Sequence, residues 1–302
     1  MFYREAISKA MVDALASDSR AVIIGQNTTT AHGVFGTCSE AARAFPKRVL
    51  EAPISETMLT GACVGLAMEG YRPILVHTRA DFSLFSFEHL INTAAKFQFL
   101  HGEPMPFIMR CVVGHGWGQG PVHSQSFHNM LAQVPGLNVI IPALLTKYGD
   151  WFAWALERET PTVIFEPRRL YEQEDVCPSK LQGFRSPPDF ELLTIGDTIL
   201  DAVEAQVILE HMGISALIRP WEDMATQPRF KHPYLLIDMA PHPPAPILLA
   251  PPFIPQGVSQ VYERMWYPTA SDIVNRVCKM LGIKAPEMET ESERVSTATS
   301  AF

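Results

Sequence analysis

Short apolar runs bounded by turn residues alternate along this chain with segments of helical periodicity. In the first part of the sequence, the predicted helices lie between successive predicted strands. A helix between two strands favours a parallel pair, and a parallel sheet needs both of its faces covered. The sequence therefore predicts an α/β fold. The predicted strands are Ala21–Gly25, Arg48–Glu51, Pro73–Val76, Pro106–Val113, Leu137–Ile141 and Thr162–Phe165, and the predicted helices are Tyr3–Ala16, Glu56–Met68, Phe82–Leu100 and Leu145–Arg158.

A second, smaller α/β unit is predicted in the last part of the chain. Its strands are Glu191–Ile195, Ser215–Ile218 and Tyr234–Ile237, and its helices are Thr198–Met212 and Ala270–Leu281. The stretch from Pro241 to Pro255 is rich in proline and cannot hold a regular helix. We therefore predict a first domain at 1–179, a linker at 180–190, a second domain at 191–285 and a polar, disordered tail at 286–302.

Composition excludes several classes of protein. A net charge of -8, without any run of Lys and Arg, argues against a nucleic-acid partner, because phosphate binding needs basic patches. No apolar run reaches membrane-spanning length. The five cysteines are scattered and never in CxxC spacing, which favours a reducing compartment over a disulfide framework or a zinc site. Since the first residues also lack an apolar signal segment, we expect a cytoplasmic protein without a metal site of its own.

Two segments of the first domain place polar residues next to predicted strand ends. In Pro53–Glu56 a strand ends, the chain turns, and Glu56 falls in the first turn of an apolar helix. Taken alone, Ser55 and Glu56 are better explained as a helix cap and an acid matched to the helix dipole, because such acids are common at helix starts. Asp81-Phe82 opens the next predicted helix, where Asp81 fits an N-cap and the phenylalanines of the segment fit the core.

A glycine-rich loop, Gly114–Gly120, follows the fourth predicted strand and leads to His123–Ser126 (His-Ser-Gln-Ser). Alternating glycines allow the backbone to approach a ligand closely, although a flexible surface loop has the same pattern. The spacing is not GxGxxG, and no GKS or GKT follows, so the dinucleotide and P-loop fingerprints are absent.

The order and spacing of six segments resemble the beta subunits of thiamine diphosphate-dependent 2-oxo acid dehydrogenases of the pyruvate and branched-chain type. The resemblance covers about residues 3–171, including an opening helix at Tyr3–Ala10. The six segments are Pro53–Glu56, Asp81-Phe82, Asn92–Lys96, His123–Ser126, Pro135–Val139 and 165–171 (Phe-Glu-Pro, then Leu-Tyr). The resemblance implies a parallel-sheet pyrimidine-binding domain followed by a smaller transketolase C-terminal-like domain. The second domain is shortened and divergent here.

The resemblance also implies roles for individual residues. Glu56 would bond the aminopyrimidine of thiamine diphosphate and favour its imino tautomer, which makes activation of the cofactor intramolecular. Phe82 would stack on the pyrimidine beside Ile54, and His123 would assist substrate positioning and proton transfer. The predicted substrate pocket contains His77, Arg79, Ser124 and Gln125. For Arg79, a structural pairing with Asp81 is an equally good explanation.

A second chain is implied as well. The family holds the cofactor's diphosphate and Mg²⁺ through a GDG…N motif on an alpha-type subunit, and this sequence has no such motif. Thiamine diphosphate would therefore be shared with an alpha-type partner that binds the Mg²⁺, in a heterotetramer of two alpha and two beta chains. Docking to an acyltransferase core is a further expectation for this family.

Three departures from the family pattern concern the reaction. Gly25–Thr28 has the sequence Gly-Gln-Asn-Thr where the family has Gly-Glu-Asp-Val, so two acids thought to help pass protons between active sites are amides here. Arg158 stands where an acid of the family's potassium site is expected. The C-terminal domain, which in the family packs the dimer and helps dock the acyltransferase core, is short.

Three functions remain open from the sequence. The leading one is a beta-type subunit that decarboxylates a 2-oxo acid and transfers an acyl or aldehyde-level fragment. The second is a split carboligase, similar to a transketolase, that joins two carbon fragments; the amide replacements and short second domain favour it. The third is a subunit that binds an alpha chain without catalysis, against which Glu56, Phe82 and His123 together argue.

Overall fold

A computed structural model describes residues 1–174, 181–240, 247–251 and 266–288. The described chain forms two compact units. The first contains residues 1–114, 123–174 and 223–226, and the second contains residues 115–122, 181–222 and the described residues from 227 onward. Each unit has its own parallel sheet, which confirms the predicted α/β class.

The first unit contains a six-stranded sheet in the order β2-β1-β3-β4-β6-β5, and every neighbouring pair is parallel. β4 begins at Ile108, two residues later than predicted. The strands are β1 (Ala21–Gly25), β2 (Val49–Glu51), β3 (Arg72–His77), β4 (Ile108–Val113), β5 (Asn138–Ile140) and β6 (Thr162–Pro167).

Helices cover this sheet. In α1, apolar residues spaced three and four apart are buried, among them Ile7, Met11 and Leu15, as the sequence predicts. The α-helices are α1 (Tyr3–Ser17), α2 (Ser39–Ala44), α3 (Glu56–Met68), α4 (Ala95–His101), α5 (His128–Leu131) and α6 (Leu145–Glu157), with short 3₁₀ helices at Ala80–Ser86 and Arg168–Leu170 and a π-helix at Glu88–Ala94.

The prediction of a single helix over Phe82–Leu100 is wrong. The chain forms a 3₁₀ helix, then a π-helix, and becomes α-helical only at Ala95. Side-chain hydrogen bonds tighten the first part, since Ser83 donates to the Ala80 carbonyl at 2.6 Å. Periodicity could not reveal this, because 3₁₀, α and π turns all repeat every three to five residues.

The phenylalanines of this segment do not form the core that the sequence suggested. Phe85 is 65% exposed and Phe99 is 91% exposed, and the other three are only half-buried. Helix α3, in contrast, has its predicted limits. Ser55 is its N-cap residue, although its side chain makes no capping bond, and Gly70 follows the helix with a φ of +83°.

The second unit contains a parallel sheet in the order β10-β9-β7-β8. Its elements are β7 (Phe190–Thr194), α7 (Thr198–His211), β8 (Ala216–Pro220), β9 (Tyr234–Ile237), β10 (Leu248–Leu249) and α8 (Ala270–Leu281). The sequence did not predict β10. The domain boundary predicted at 179–180, most of the proline-rich stretch, and the tail from residue 289 lie outside the described residues.

A fully buried ion pair links β4 to β6 in the first unit. Arg110 donates from two nitrogens to the two oxygens of Glu166, at 2.7 and 2.8 Å, and neither side chain is exposed to solvent. Tyr148 and Tyr171 also donate to this carboxylate. Burial, and then the charge of Glu166, raises the pKa of both tyrosines well above the usual value, so they remain protonated donors.

We expect Glu166→Gln to lower the free energy of unfolding by about 3–5 kcal/mol, because it leaves the Arg110 charge buried without a counter-charge. Urea denaturation near neutral pH measures the loss. The control is Glu172→Gln, which removes an exposed carboxylate that pairs with Arg4 and should cost less than about 1 kcal/mol. Equal losses in the two variants would contradict the role assigned to the buried pair.

Candidate functional site

Polar residues collect where the parallel strands of the first unit end. In open α/β sheets, ligands bind outside the carboxyl ends of the strands. Gln26 follows β1, Arg79 comes two residues after β3, and Arg168 follows β6. Gly114 directly follows β4. This edge of the sheet is therefore the place to examine the residues that the sequence singled out.

Glu56 is the first residue of α3, where its carboxylate matches the positive end of the helix dipole. It is half-buried, and its Oε1 accepts a hydrogen bond of 3.2 Å from the side-chain amide of Gln26. Within the described chain, Oε2 has no hydrogen-bond partner that belongs to the protein. Ile54, two residues earlier, is 83% exposed. Glu56 thus offers one carboxylate oxygen at the start of α3, two positions after an exposed apolar residue.

The loop between Gln26 and Gly36 is held from β2. Glu51 accepts hydrogen bonds from the backbone N–H groups of Asn27 and Thr29 and from the Thr29 hydroxyl. Burial raises the pKa of Glu51, but these hydrogen bonds outweigh it and leave the pKa below its usual value. Val34 and Phe35 have φ values of +47° and +58°, which are uncommon for residues other than glycine. The loop therefore has a fixed, locally strained conformation.

Phe82 and His123 lie together. Their ring centroids are 5.7 Å apart, with the planes at 81°, and both side chains are half-buried. Asp81 is not the N-cap that the sequence suggested; Arg79 takes that position. The Oδ1 atom of Asp81 instead accepts hydrogen bonds from the side chain of Gln125, at 2.8 Å, and from the backbone N–H of Gln125. Burial raises the pKa of Asp81. Asp81 therefore joins the segment of Phe82 to the segment of His123.

His77 lies in the interior rather than on a pocket wall. Its side chain is 3% exposed, and its Nε2 is 3.0 Å from the Ser86 hydroxyl. The Thr60 hydroxyl lies 2.7 Å from Ser86 and donates to the Glu56 carbonyl. Each hydroxyl carries one proton, so Ser86 donates to Thr60, and Nε2–H of His77 donates to Ser86. Burial lowers the pKa of His77 to about 4, which keeps the imidazole neutral.

Arg79 and Arg168 approach the same aromatic ring. Their guanidinium carbons lie 5.0 and 4.9 Å from the centroid of Phe35. Burial lowers the pKa of Arg79 and lowers that of Arg168 to about 10, so both remain charged near neutral pH. Phe35, in the strained loop, therefore makes cation–π contacts with two arginines, one after β3 and one after β6.

Gly114 allows a close backbone approach. A Cβ at this position would lie 2.0 Å from the carbonyl oxygen of His123 and 3.4 Å from Cδ of Arg79. The residue must therefore be glycine for the His123 segment to keep its place.

In the second unit, His115 pairs with Asp197 and stacks on Tyr267, with ring centroids 3.4 Å apart.

The structure thus connects the predicted site residues in pairs: Phe82 with His123, and Gln125 with Asp81. Ser124 is 2% exposed, and His77 is similarly buried. From the sequence, Gln26 stood out only as a departure from a family pattern, and its contact with Glu56 was not predicted. Phe35 was likewise not predicted as a support for Arg79. The position of Gln26 directly after a predicted strand was the signal that could have identified it.

None of the described helices is both long and apolar enough to cross a membrane. The described part of the chain contains no group of three or more His, Cys, Asp or Glu side chains placed to hold a metal ion.

Comparisons with known proteins agree with this architecture. Residues 1–174 match the transketolase pyrimidine binding domain family. The chain is 30% identical over 228 residues to the 2-oxoisovalerate dehydrogenase subunit beta of Bacillus subtilis, a match that covers 72% of this chain and 70% of the relative. It is 28% identical to the mitochondrial pyruvate dehydrogenase E1 component subunit beta of Saccharomyces cerevisiae, covering 72% of this chain and 63% of the relative.

Solved structures share the fold. A split gene transketolase, described as an inactive beta4 tetramer, superimposes with a TM-score of 0.69 at 19% identity, over 94% of this chain and 99% of that one. Transketolase from Leishmania mexicana gives a TM-score of 0.74 at 14% identity, over 96% of this chain and 47% of that one. The chain therefore belongs to the transketolase pyrimidine-binding domain family, in the group that includes the beta subunits of 2-oxo acid dehydrogenases.

The buried imidazole of His77 predicts a specific loss of stability in acid. Its pKa is about 4 in the folded chain and near 6.5 when exposed, so the unfolded chain binds more protons between these values. Stability should fall as the pH decreases through this window, by about 3 kcal/mol in total from this residue. The variant His77→Gln, which keeps a donor toward Ser86, should lose that much less between pH 7 and pH 4 in urea denaturation. Parallel pH profiles would refute the prediction.

Proposed function

We propose that this chain is the beta-type subunit of a two-chain thiamine diphosphate enzyme that decarboxylates a 2-oxo acid and transfers the acyl or aldehyde-level fragment. The observation that carries the proposal is the arrangement around Glu56: a carboxylate at a helix start, two positions after exposed Ile54, with one oxygen bonded to Gln26 and the other without a partner among the described residues. The relatives named as dehydrogenase beta subunits support the same class.

The residues present fit an aminopyrimidine ring. A flat heteroaromatic ring needs an apolar surface and a carboxylate directed at its ring nitrogen. Phe82 and Ile54 provide the surface, and Glu56 provides the carboxylate. When bound, thiamine diphosphate supplies an electron sink for the bond between the carboxylate and carbonyl carbons of a 2-oxo acid.

Glu56 would hold a proton at Oε2 for the ring nitrogen of a bound pyrimidine. Because Gln26 occupies Oε1, the proton is held at one defined atom. A chain of hydrogen bonds through His77, Ser86 and Thr60 reaches the carbonyl of Glu56. It fixes the backbone of the first turn of α3. His77 therefore takes a supporting position in this proposal, without contact to substrate.

His123 is proposed to move a proton to or from the bound substrate. Its ring contacts Phe82, which places it at the edge of the proposed pyrimidine surface. The Asp81–Gln125 hydrogen bond and the close approach of Gly114 hold its segment in place. Arg79, packed beside Gly114, is proposed to attract the substrate carboxylate, with half-buried Gln125 in the surrounding wall. Ser124, which is as buried as His77, is given no contact with the substrate.

The partner is proposed to be an alpha-type chain that binds the diphosphate and Mg²⁺ and completes a heterotetramer of two alpha and two beta chains. The sequence carries no GDG…N motif for these groups. Engagement of an acyltransferase core would follow if the fragment leaves as an acyl group.

A split carboligase is the second candidate, because Gln26 bonds Glu56 where the resembled dehydrogenases have an acid. The decarboxylation with acyl transfer and the carboligation differ in the molecule that accepts the carbon fragment. The complex with the alpha-type chain would be given 2-oxo acids with and without aldehydes. Carbon dioxide release that depends on an aldehyde, with a ligated product, would identify the carboligase.

Glu56→Gln should abolish turnover of the reconstituted complex while leaving its assembly intact, because an amide cannot hold the proton at Oε2. Turnover is followed as carbon dioxide release, and assembly by size-exclusion chromatography with light scattering. The matched control is Glu69→Gln, the same change at the exposed C-terminal end of the same helix, which should retain activity. Normal turnover in Glu56→Gln would remove the basis of the proposed function.

A further inference from the structure

Gln26 makes a direct side-chain contact with Glu56. Its Nε2 donates to Oε1 of Glu56 over 3.2 Å, between residues 30 positions apart in the chain. Both side chains are half-buried, so the bond is partly shielded from water. An amide nitrogen can only donate, which fixes the direction of this bond.

The main chain on the Gln26 side of the contact is held in place. Gly25 closes β1 so tightly against β3 that a Cβ would lie 2.6 Å from the Val76 carbonyl oxygen. The Gly25 carbonyl accepts from the N–H of Ala52 at 2.9 Å. On the other side, Asn27 is tied by Glu51 to β2 and accepts from the N–H of Val34 at 3.0 Å. Gln26 therefore has little freedom to move away from Glu56.

The Glu56 side is held equally well. Its carbonyl accepts from the Thr60 hydroxyl at 2.7 Å, and Thr57 donates to the carbonyl of Phe85 at 2.9 Å, which binds the first turn of α3 to the neighbouring 3₁₀ helix. With both main chains fixed, a single side-chain bond is enough to select one orientation of the carboxylate.

We propose that Gln26 is a positioning residue that reserves Oε1 of Glu56 and leaves Oε2 as the one oxygen that faces the pyrimidine ring nitrogen. The inference rests on the proposed function of Glu56. A glutamate at position 26 could not do this, because two carboxylates at this separation repel or share a proton. Gln26 thus keeps the proton of Glu56 on the cofactor side rather than passing it along the loop.

The first test needs only this chain. In protein labelled with ¹⁵N-glutamine, the side-chain signals of Gln26 are identified by their loss in Gln26→Leu. One of the two amide protons should resonate downfield in the wild type and move upfield in Glu56→Gln, because a neutral acceptor makes a weaker hydrogen bond than a carboxylate. Gln26 signals that are identical in both proteins would overturn the inference whatever the enzyme does.

The second test uses the complex with the alpha-type chain, loaded with thiamine diphosphate and Mg²⁺. The rate of hydrogen–deuterium exchange at the thiazolium carbon reports activation of the cofactor before any substrate binds. Gln26→Leu should lower this rate about 10- to 100-fold, the range that corresponds to losing one hydrogen bond to a charged group. The control Gln133→Leu, at an exposed glutamine, should leave it unchanged.

The outcomes separate the two proposals. If Glu56→Gln stops the exchange but Gln26→Leu exchanges at the wild-type rate, Gln26 has no positioning role and the proposed function stands. If Glu56→Gln exchanges normally, the proposed function fails. Circular dichroism of the free chains supplies the check on folding: slow exchange in a Gln26 variant supports the inference only when its spectrum matches the wild type.

Discussion

The buried pair of Arg110 and Glu166 is the interaction on which the first unit depends most. It bridges adjacent strands in the interior of the parallel sheet, where neither charge can be solvated, so every remaining donor and acceptor must be met by protein. Tyr148 from α6 and Tyr171 meet the lone pairs of the carboxylate. Arg110 also donates to the hydroxyl of Thr37 at 3.1 Å. One charge pair thereby connects two strands, a covering helix and the end of the loop that begins at Gln26.

That connection explains how a strained loop can be stable. Val34 and Phe35 adopt positive φ values at a cost of about 1–3 kcal/mol each, which persists only where surrounding contacts over-determine the backbone. Glu51 holds the beginning of the loop, and Arg110 holds its end through Thr37. The conformation places Gln26 against Glu56 at one end and Phe35 under Arg79 near the other. The electrostatics of the interior therefore fix the geometry at the sheet edge.

Much of this could be predicted from the sequence, and the failures have physical causes. The strands and α3 were predictable because short apolar runs and helical periodicity record burial directly. The segment over Phe82–Leu100 was not, because the tightness of its turns is set by contacts such as that between Ser86 and Thr60, from different elements. Glu56, Phe82 and His123 stood out through ordered motifs. The partner of Glu56 did not, because Gln26 is close to it only in the folded chain.

The π-helix at Glu88–Ala94 has a consequence for how this segment can vary. A π turn carries about one residue more than an α turn, so deleting a single residue there would restore ordinary helical winding. The extra residue is absorbed within the π turns, so the residues after them, up to His101, would keep their orientation toward the sheet. That orientation is fixed at Gly136, whose φ is +93° and which has no room for a side chain beside the Ala95 carbonyl. The π-helix is thus the place where the segment between β3 and β4 can lose one residue without disturbing this packing, and a single-residue gap between relatives is expected there.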